Sequence, residues 1–139
     1  MNAVIEEAVP YAWGRKHPTI VECTQSLKGV QDALYVLNGK WKLPIIIALS
    51  HGPMRFRELQ RTIRTVTARV LSKELKELEM NEFLIRHVYP TTPVTIEYEL
   101  TPYSETLDSV IEALRNWGLQ HRERILKKDH SIDANFPEA

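Results

Sequence analysis

The chain has 139 residues, of which 43% are hydrophobic and 26% charged, the balance of a globular domain with one core. It has no run near the roughly 18 apolar residues of a membrane span, and acidic Glu6 and Glu7 stand where a leader would be basic. Eighteen basic and eighteen acidic residues cancel, one cysteine rules out an intrachain disulfide, and five scattered histidines lack metal-ligand spacing.

The zero net charge hides a polar distribution. From Pro53 to Lys73 there are six bases (Arg55, Arg57, Arg61, Arg64, Arg69, Lys73) against one acid, Glu58. From Thr101 onward seven acids face five bases. A basic middle with a mildly acidic end suits a protein that turns one face to phosphate, although a solvated helical surface has the same composition.

In chain order, residues 1–21 carry Pro10, Gly14 and Pro18 without periodicity and predict an irregular arm. Glu22 to Leu37 places Leu27, Val30, Leu34 and Leu37 on a helical stripe, closed by Asn38-Gly39. Lys40 to Ser50 is a strongly apolar second helix, with Pro44 in its early turns where a missing amide costs least. After His51-Gly52-Pro53 a short helix spans Arg55 to Thr62, with Phe56, Leu59 and Ile63 inward. The connection Ile63 to Val66 leads to Thr67, an N-cap that opens a helix to about Glu79. Val70, Leu71, Leu75 and Leu78 form its apolar face, and Ala68, Arg69, Ser72, Lys73 and Lys76 the opposite one. Two alternating strands, Phe83 to Tyr89 and Val94 to Leu100, flank the turn Pro90-Thr91-Thr92-Pro93. Thr101-Pro102 opens a last helix running to about Lys128, and residues 129–139 read as a frayed tail. One domain over residues 22–128 follows, mainly α with a small antiparallel β-hairpin.

Three helices followed by a hairpin is the order of a winged helix-turn-helix. Such a fold needs a helix that packs on one side and offers short polar or basic side chains to base edges on the other. The helix from Thr67 satisfies this. Arg69 and Lys73 are candidates for guanine edges, Thr67 and Ser72 for bases or phosphate, with Ala68 and Lys76 on the same face. Arg55, Arg57 and Arg64 are candidates for the DNA backbone, and Arg86, Thr91, Thr92 and Thr95 for wing contacts. His87 is better explained by a ribbon that only covers the core. The last helix carries Leu107, Val110, Ile111, Leu114, Trp117, His121 and Ile125 as a wide stripe, which together with Leu27, Val30 and Leu34 predicts a subunit interface. Such a protein is a homodimer on double-stranded DNA, acting in the cytoplasm at the nucleoid. It needs no cofactor or metal.

These segments resemble the HxlR-type family of bacterial winged-helix regulators over roughly Leu34 to Trp117. The resemblance rests on Gly39-Lys40-Trp41, Gly52-Pro53-Met54-Arg55-Phe56-Arg57-Glu58-Leu59, Val70 to Glu79, Val88-Tyr89-Pro90, Ile96 to Thr101 and Trp117-Gly118. It implies a dimer formed by the first and last helices and DNA read by the helix from Thr67. Apart from the resemblance, a two-fold regulator is expected to read a palindromic operator and to repress there. Three departures stand out. Glu82 occupies the position of the family's glycine after the recognition helix, which leaves Asn81 as the expected left-handed residue. Thr95 stands where the wing arginine is usual. Cys23 lies farther from Gly39-Lys40-Trp41 than the cysteine through which some relatives sense oxidants. A sensing thiol needs a lowered pKa, and adjacent Glu22 opposes it, so an inert thiol is the favoured reading of Cys23 and redox sensing the lesser one. The neutral total charge and the missing wing arginine leave a second reading, a winged helix that binds an acidic protein instead of DNA. An enzyme has no acid–base pair, metal spacing or phosphate loop behind it.

Overall fold

The computed structural model describes the backbone of residues 19–134 and the side chains of residues 19–129. It divides into two compact units at Gly39–Lys40. The first contains α1 (Ile20–Val36), which starts two residues earlier than the apolar stripe suggests. Thr19 is the reason. Its side chain accepts a hydrogen bond from the Glu22 amide, and the Glu22 carboxylate accepts one from the Thr19 amide at 2.9 Å, a complete capping box. The irregular arm expected over residues 1–21 otherwise lies outside the described residues. None of the α1 side chains is buried.

The second unit runs α2 (Lys42–Leu49), β1 (Met54–Arg55), α3 (Phe56–Ile63), α4 (Ala68–Met80), β2 (Leu84–Tyr89), β3 (Thr95–Leu100), a 3₁₀ turn (Pro102–Leu107) and α5 (Asp108–Ala134). Its fold is the winged helix-turn-helix expected from the element order, with one addition. Strand β1 is a two-residue strand that turns the hairpin into a three-stranded sheet of order β1-β3-β2. Met54 pairs with Tyr98 and Arg55 with Glu97. So short a strand has no periodicity to read, and Arg55 therefore belongs to the sheet edge where a helix start was expected.

The core is built by Ile45, Ile46, Ala48 and Leu49 of α2, Leu59 of α3, Leu71, Leu75 and Leu78 of α4, Phe83 just before β2, and Leu84 and Tyr98 of the sheet. Each fully buried leucine contributes about 1.5–3 kcal/mol relative to exposure. Pro44 sits in the first turn of α2, where its missing amide breaks no bond. Phe56 and Ile63, expected inward, are half-buried.

The end of α4 departs from expectation in an instructive way. Glu82, not Asn81, takes the left-handed backbone, with φ 65°. The Phe83 amide donates to the Leu78 carbonyl at 3.0 Å and the Glu82 amide to Glu79 at 3.0 Å, the two bonds of a Schellman motif. Burial of Phe83 against the core sets the register of that motif. The left-handed position thus falls on Glu82 despite a cost of about 1–2 kcal/mol for a residue with a Cβ. Finally, α5 continues to Ala134 where a tail was expected from residue 129, and the 3₁₀ turn precedes it where α-helix was expected.

Candidate nucleic-acid interface

The two faces of α4 differ as the sequence predicts. Leu71, Leu75 and Leu78 are buried, while Ala68, Arg69, Ser72, Lys73 and Lys76 are exposed. Among the described residues, Arg69, Ser72 and Lys76 have no side-chain hydrogen bond or ion pair. Thr67 is a working cap, its hydroxyl accepting from the Val70 amide at 3.3 Å. The turn from α3 into α4 is held by buried Val66 and passes through Arg64, whose φ is 65°.

Spacing along α3 brings Arg57, Arg61 and Arg64 together with Gln60 around an open depression of about 440 Å³. Arg57 and Arg64 were expected to meet the DNA backbone; Arg61 and Gln60 were missed, although their offsets of four and three from Arg57 were a readable signal. The ribbon tip is organised internally. The Thr91 hydroxyl lies 2.8 Å from the Pro93 carbonyl and 2.9 Å from the Thr95 hydroxyl, while Thr92 and Arg86 are exposed. His87 Nε2 lies 2.8 Å from Glu99 Oε2 across the ribbon, in keeping with a ribbon role.

Residues 36–126 match the family model of the HxlR-like helix-turn-helix. The chain belongs to the HxlR-like helix-turn-helix family. As a member it is a transcription regulator of a class that works by binding DNA. It is 36% identical to the HTH-type transcriptional regulator YtcD of Bacillus subtilis, over 74% of this chain and 82% of that one. Among solved structures, the reduced form of the redox regulator HypR has a TM-score of 0.66 at 32% identity, covering 71% of this chain and 98% of that chain. The reduced form of YodB from B. subtilis has a TM-score of 0.59 at 38% identity, covering 65% and 88%.

One constellation in this HxlR-like domain escaped the sequence reading. Lys42 opens α2 and is only 2% exposed. Its ammonium donates to Glu74 Oε2 at 2.6 Å and to Glu77 Oε2 at 2.6 Å, tying α2 to α4. Burial disfavours the charged lysine, but the hydrogen bonds and charges of Glu74 and Glu77 outweigh it and hold its pKa above the ordinary value. The hydrogen bond from Lys42 is the main reason that Glu77 titrates below the usual carboxylate range, against the opposing effect of partial burial. The signal was available. Glu74 interrupts the leucine stripe of α4, and Lys42 interrupts the apolar run of α2.

The residues expected at a subunit interface divide. Leu107 is 8% exposed and belongs to the core of its own unit, because the 3₁₀ turn brings it back onto the domain. Ile111 is half-buried, and Val110, Leu114 and Trp117 are exposed. His121 stacks on Trp117, ring centroids 4.9 Å apart and planes within 8°. Leu27, Val30 and Leu34 of α1 are exposed as well. Cys23 is exposed in the first turn of α1, its own amide already donated to the Thr19 carbonyl at 2.9 Å.

Proposed function

We propose that this HxlR-like regulator is a homodimer that binds double-stranded DNA at a palindromic operator and represses transcription there, in the cytoplasm. The observation that carries the reading is the exposed face of α4, where Arg69, Ser72 and Lys76 have no side-chain partner among the described residues and Lys73 has only the distant Glu77 carboxylate. In this reading Arg69 and Lys73 donate to guanine edges, and Ser72, Ala68 and Lys76 line the same groove. Thr67 and the first amides of α4 face a phosphate. Arg57 and Arg61 on α3, with Arg64 at its C-terminal cap, meet the backbone, as does Arg55 at the sheet edge. Arg86 and the ribbon threonines Thr91, Thr92 and Thr95 lie along the neighbouring groove. Because Thr91 and Thr95 satisfy each other, Arg86 is the stronger wing contact.

Two recognition helices must be related by a two-fold to read a palindrome, with half-sites about 34–36 Å apart. Helices α5 and α1 each carry exposed apolar side chains that suit contact with a second copy. Solved relatives include redox-responsive regulators, but Cys23 follows Glu22 and has no free amide of its own to offer a thiolate. We read it as an inert thiol.

Selection of genomic or random-sequence fragments by the purified protein tests this function. Enrichment of a symmetric site, with an affinity that falls steeply with salt, is the expected result. Failure to enrich any sequence would favour the alternative, an acidic protein partner for the basic face.

A further inference from the structure

The buried lysine has no part in the function proposed so far, yet it lies one side chain away from the DNA-facing surface. Glu77 is the link. Its Oε2 takes the hydrogen bond from Lys42 at 2.6 Å, while its Oε1 lies 3.9 Å from the ammonium of Lys73. The Glu77 side chain is 37% exposed and stands at the border of the two faces of α4, between Lys42 at 2% and Lys73 at 70%. A separation of 3.9 Å is too long for a hydrogen bond, so Lys73 is held only by a weak surface attraction. The order along the helix, lysine four residues before glutamate, is also the less favourable one.

We propose that Lys42 is a positioning residue for DNA recognition: by holding Glu77 toward the core it keeps Lys73 available to DNA. The inference rests on the reading that the exposed face of α4 meets DNA. Glu77 and Lys73 are a turn apart on one helix and always within reach of each other. Without Lys42, the most accessible cation for the Glu77 carboxylate is Lys73, and a lysine paired with it must break that pair before binding a base or phosphate. With Lys42 in place, the stronger and drier hydrogen bond wins. Glu74, on the neighbouring turn, accepts the second bond of the same ammonium and keeps it oriented. The three groups thus act on binding through the freedom of Lys73 as well as through the packing of α2 on α4.

Replacing Lys42 alone strands Glu74 in the core, so the informative variant removes the buried pair together, Lys42→Met with Glu74→Leu. It leaves Glu77 with Lys73 as its partner. Titrations use the duplex enriched from a random-sequence pool by the unaltered protein. Lys73→Ala in the unaltered protein is expected to weaken binding roughly ten-fold and to lower the log–log salt slope by about one. The Lys42→Met/Glu74→Leu protein is expected to melt cooperatively and show the same loss, with Lys73→Ala costing little further. Adding Glu77→Gln is expected to restore both affinity and slope, which a purely structural role for Lys42 does not predict. Unaltered affinity in the folded double variant, additive effects of the two changes, or no rescue by Glu77→Gln would overturn the proposal. If Lys73→Ala has no effect in the unaltered protein, or no duplex is enriched, the reading of α4 fails and the proposal fails with it.

Discussion

Helices α4 and α5 are both amphipathic, and they make opposite use of it. Helix α4 hides its leucines against α2 and the sheet and shows solvent a polar, basic surface. Helix α5 is twice as long and leaves Val110, Leu114, Trp117, Leu119, Ile125 and Leu126 exposed. A hydrated polyanion suits the first surface and another apolar protein surface suits the second. Amphipathicity alone does not distinguish a core helix from an interface helix. What distinguishes them is whether the domain has room left for the apolar face.

The largest expected effect breaks the α5 side of this contrast. Trp117→Asp places a charge where we expect a two-fold interface, and should weaken self-association by roughly 100-fold, as loss of an aromatic anchor does. Sedimentation at several concentrations reads this out. A folded variant that still sediments as the unaltered protein does would remove Trp117 from the interface. The α4 side is tested by Arg69→Ala, with a smaller expected loss of about ten-fold in operator affinity and no change in thermal stability, since Arg69 has no partner among the described residues. A mobility-shift titration with unchanged affinity would move base recognition away from that position.

The smallest effect sharpens the boundary between the two faces of α4 and appears in acid. Glu77 has a lowered folded-state pKa, so its contribution is full above the ordinary value of 4.5 and is lost as pH falls through the lowered one. Lys42 has a raised pKa, so its contribution is full below 10.5 and lost only as pH rises through the raised value. The network should therefore leave stability flat across neutral pH. Urea unfolding at neutral pH and at about pH 3 should show a smaller acid loss in the Lys42→Met/Glu74→Leu/Glu77→Gln protein than in the unaltered one. Equal losses in both would mean that the network does not carry the acid sensitivity.

Much of the fold and the face of α4 were legible because their signals are local. A repeat of leucines every three or four residues, a threonine cap and an alternating ribbon each depend on neighbours within a few positions. The basic cluster on and just after α3 was half read: Arg57 and Arg64 stood out, while the helical offsets that join Arg61 and Gln60 to them were overlooked. What was missed depends on distant partners. Strand β1 exists because β3 offers it an edge. Leu107 looked like another residue of the α5 stripe, and only the preceding 3₁₀ turn carries it into the core. The choice of Glu82 over Asn81 follows from where Phe83 is buried, which propensity at either position does not report.

By itself the sequence determined the family, the element order and the helix face that suits DNA, since periodicity, caps and motif spacing are properties of the chain read along its length. Only the tertiary structure decided what each apolar or charged side chain meets. It placed Leu107 in the core and left Trp117 in solvent, and it turned Lys42 and Glu74 from two misfits in apolar runs into one buried ion pair. The physical reason is the same in each case: burial and ion pairing are set by groups far apart in sequence, Lys42 and Glu74 being 32 residues apart.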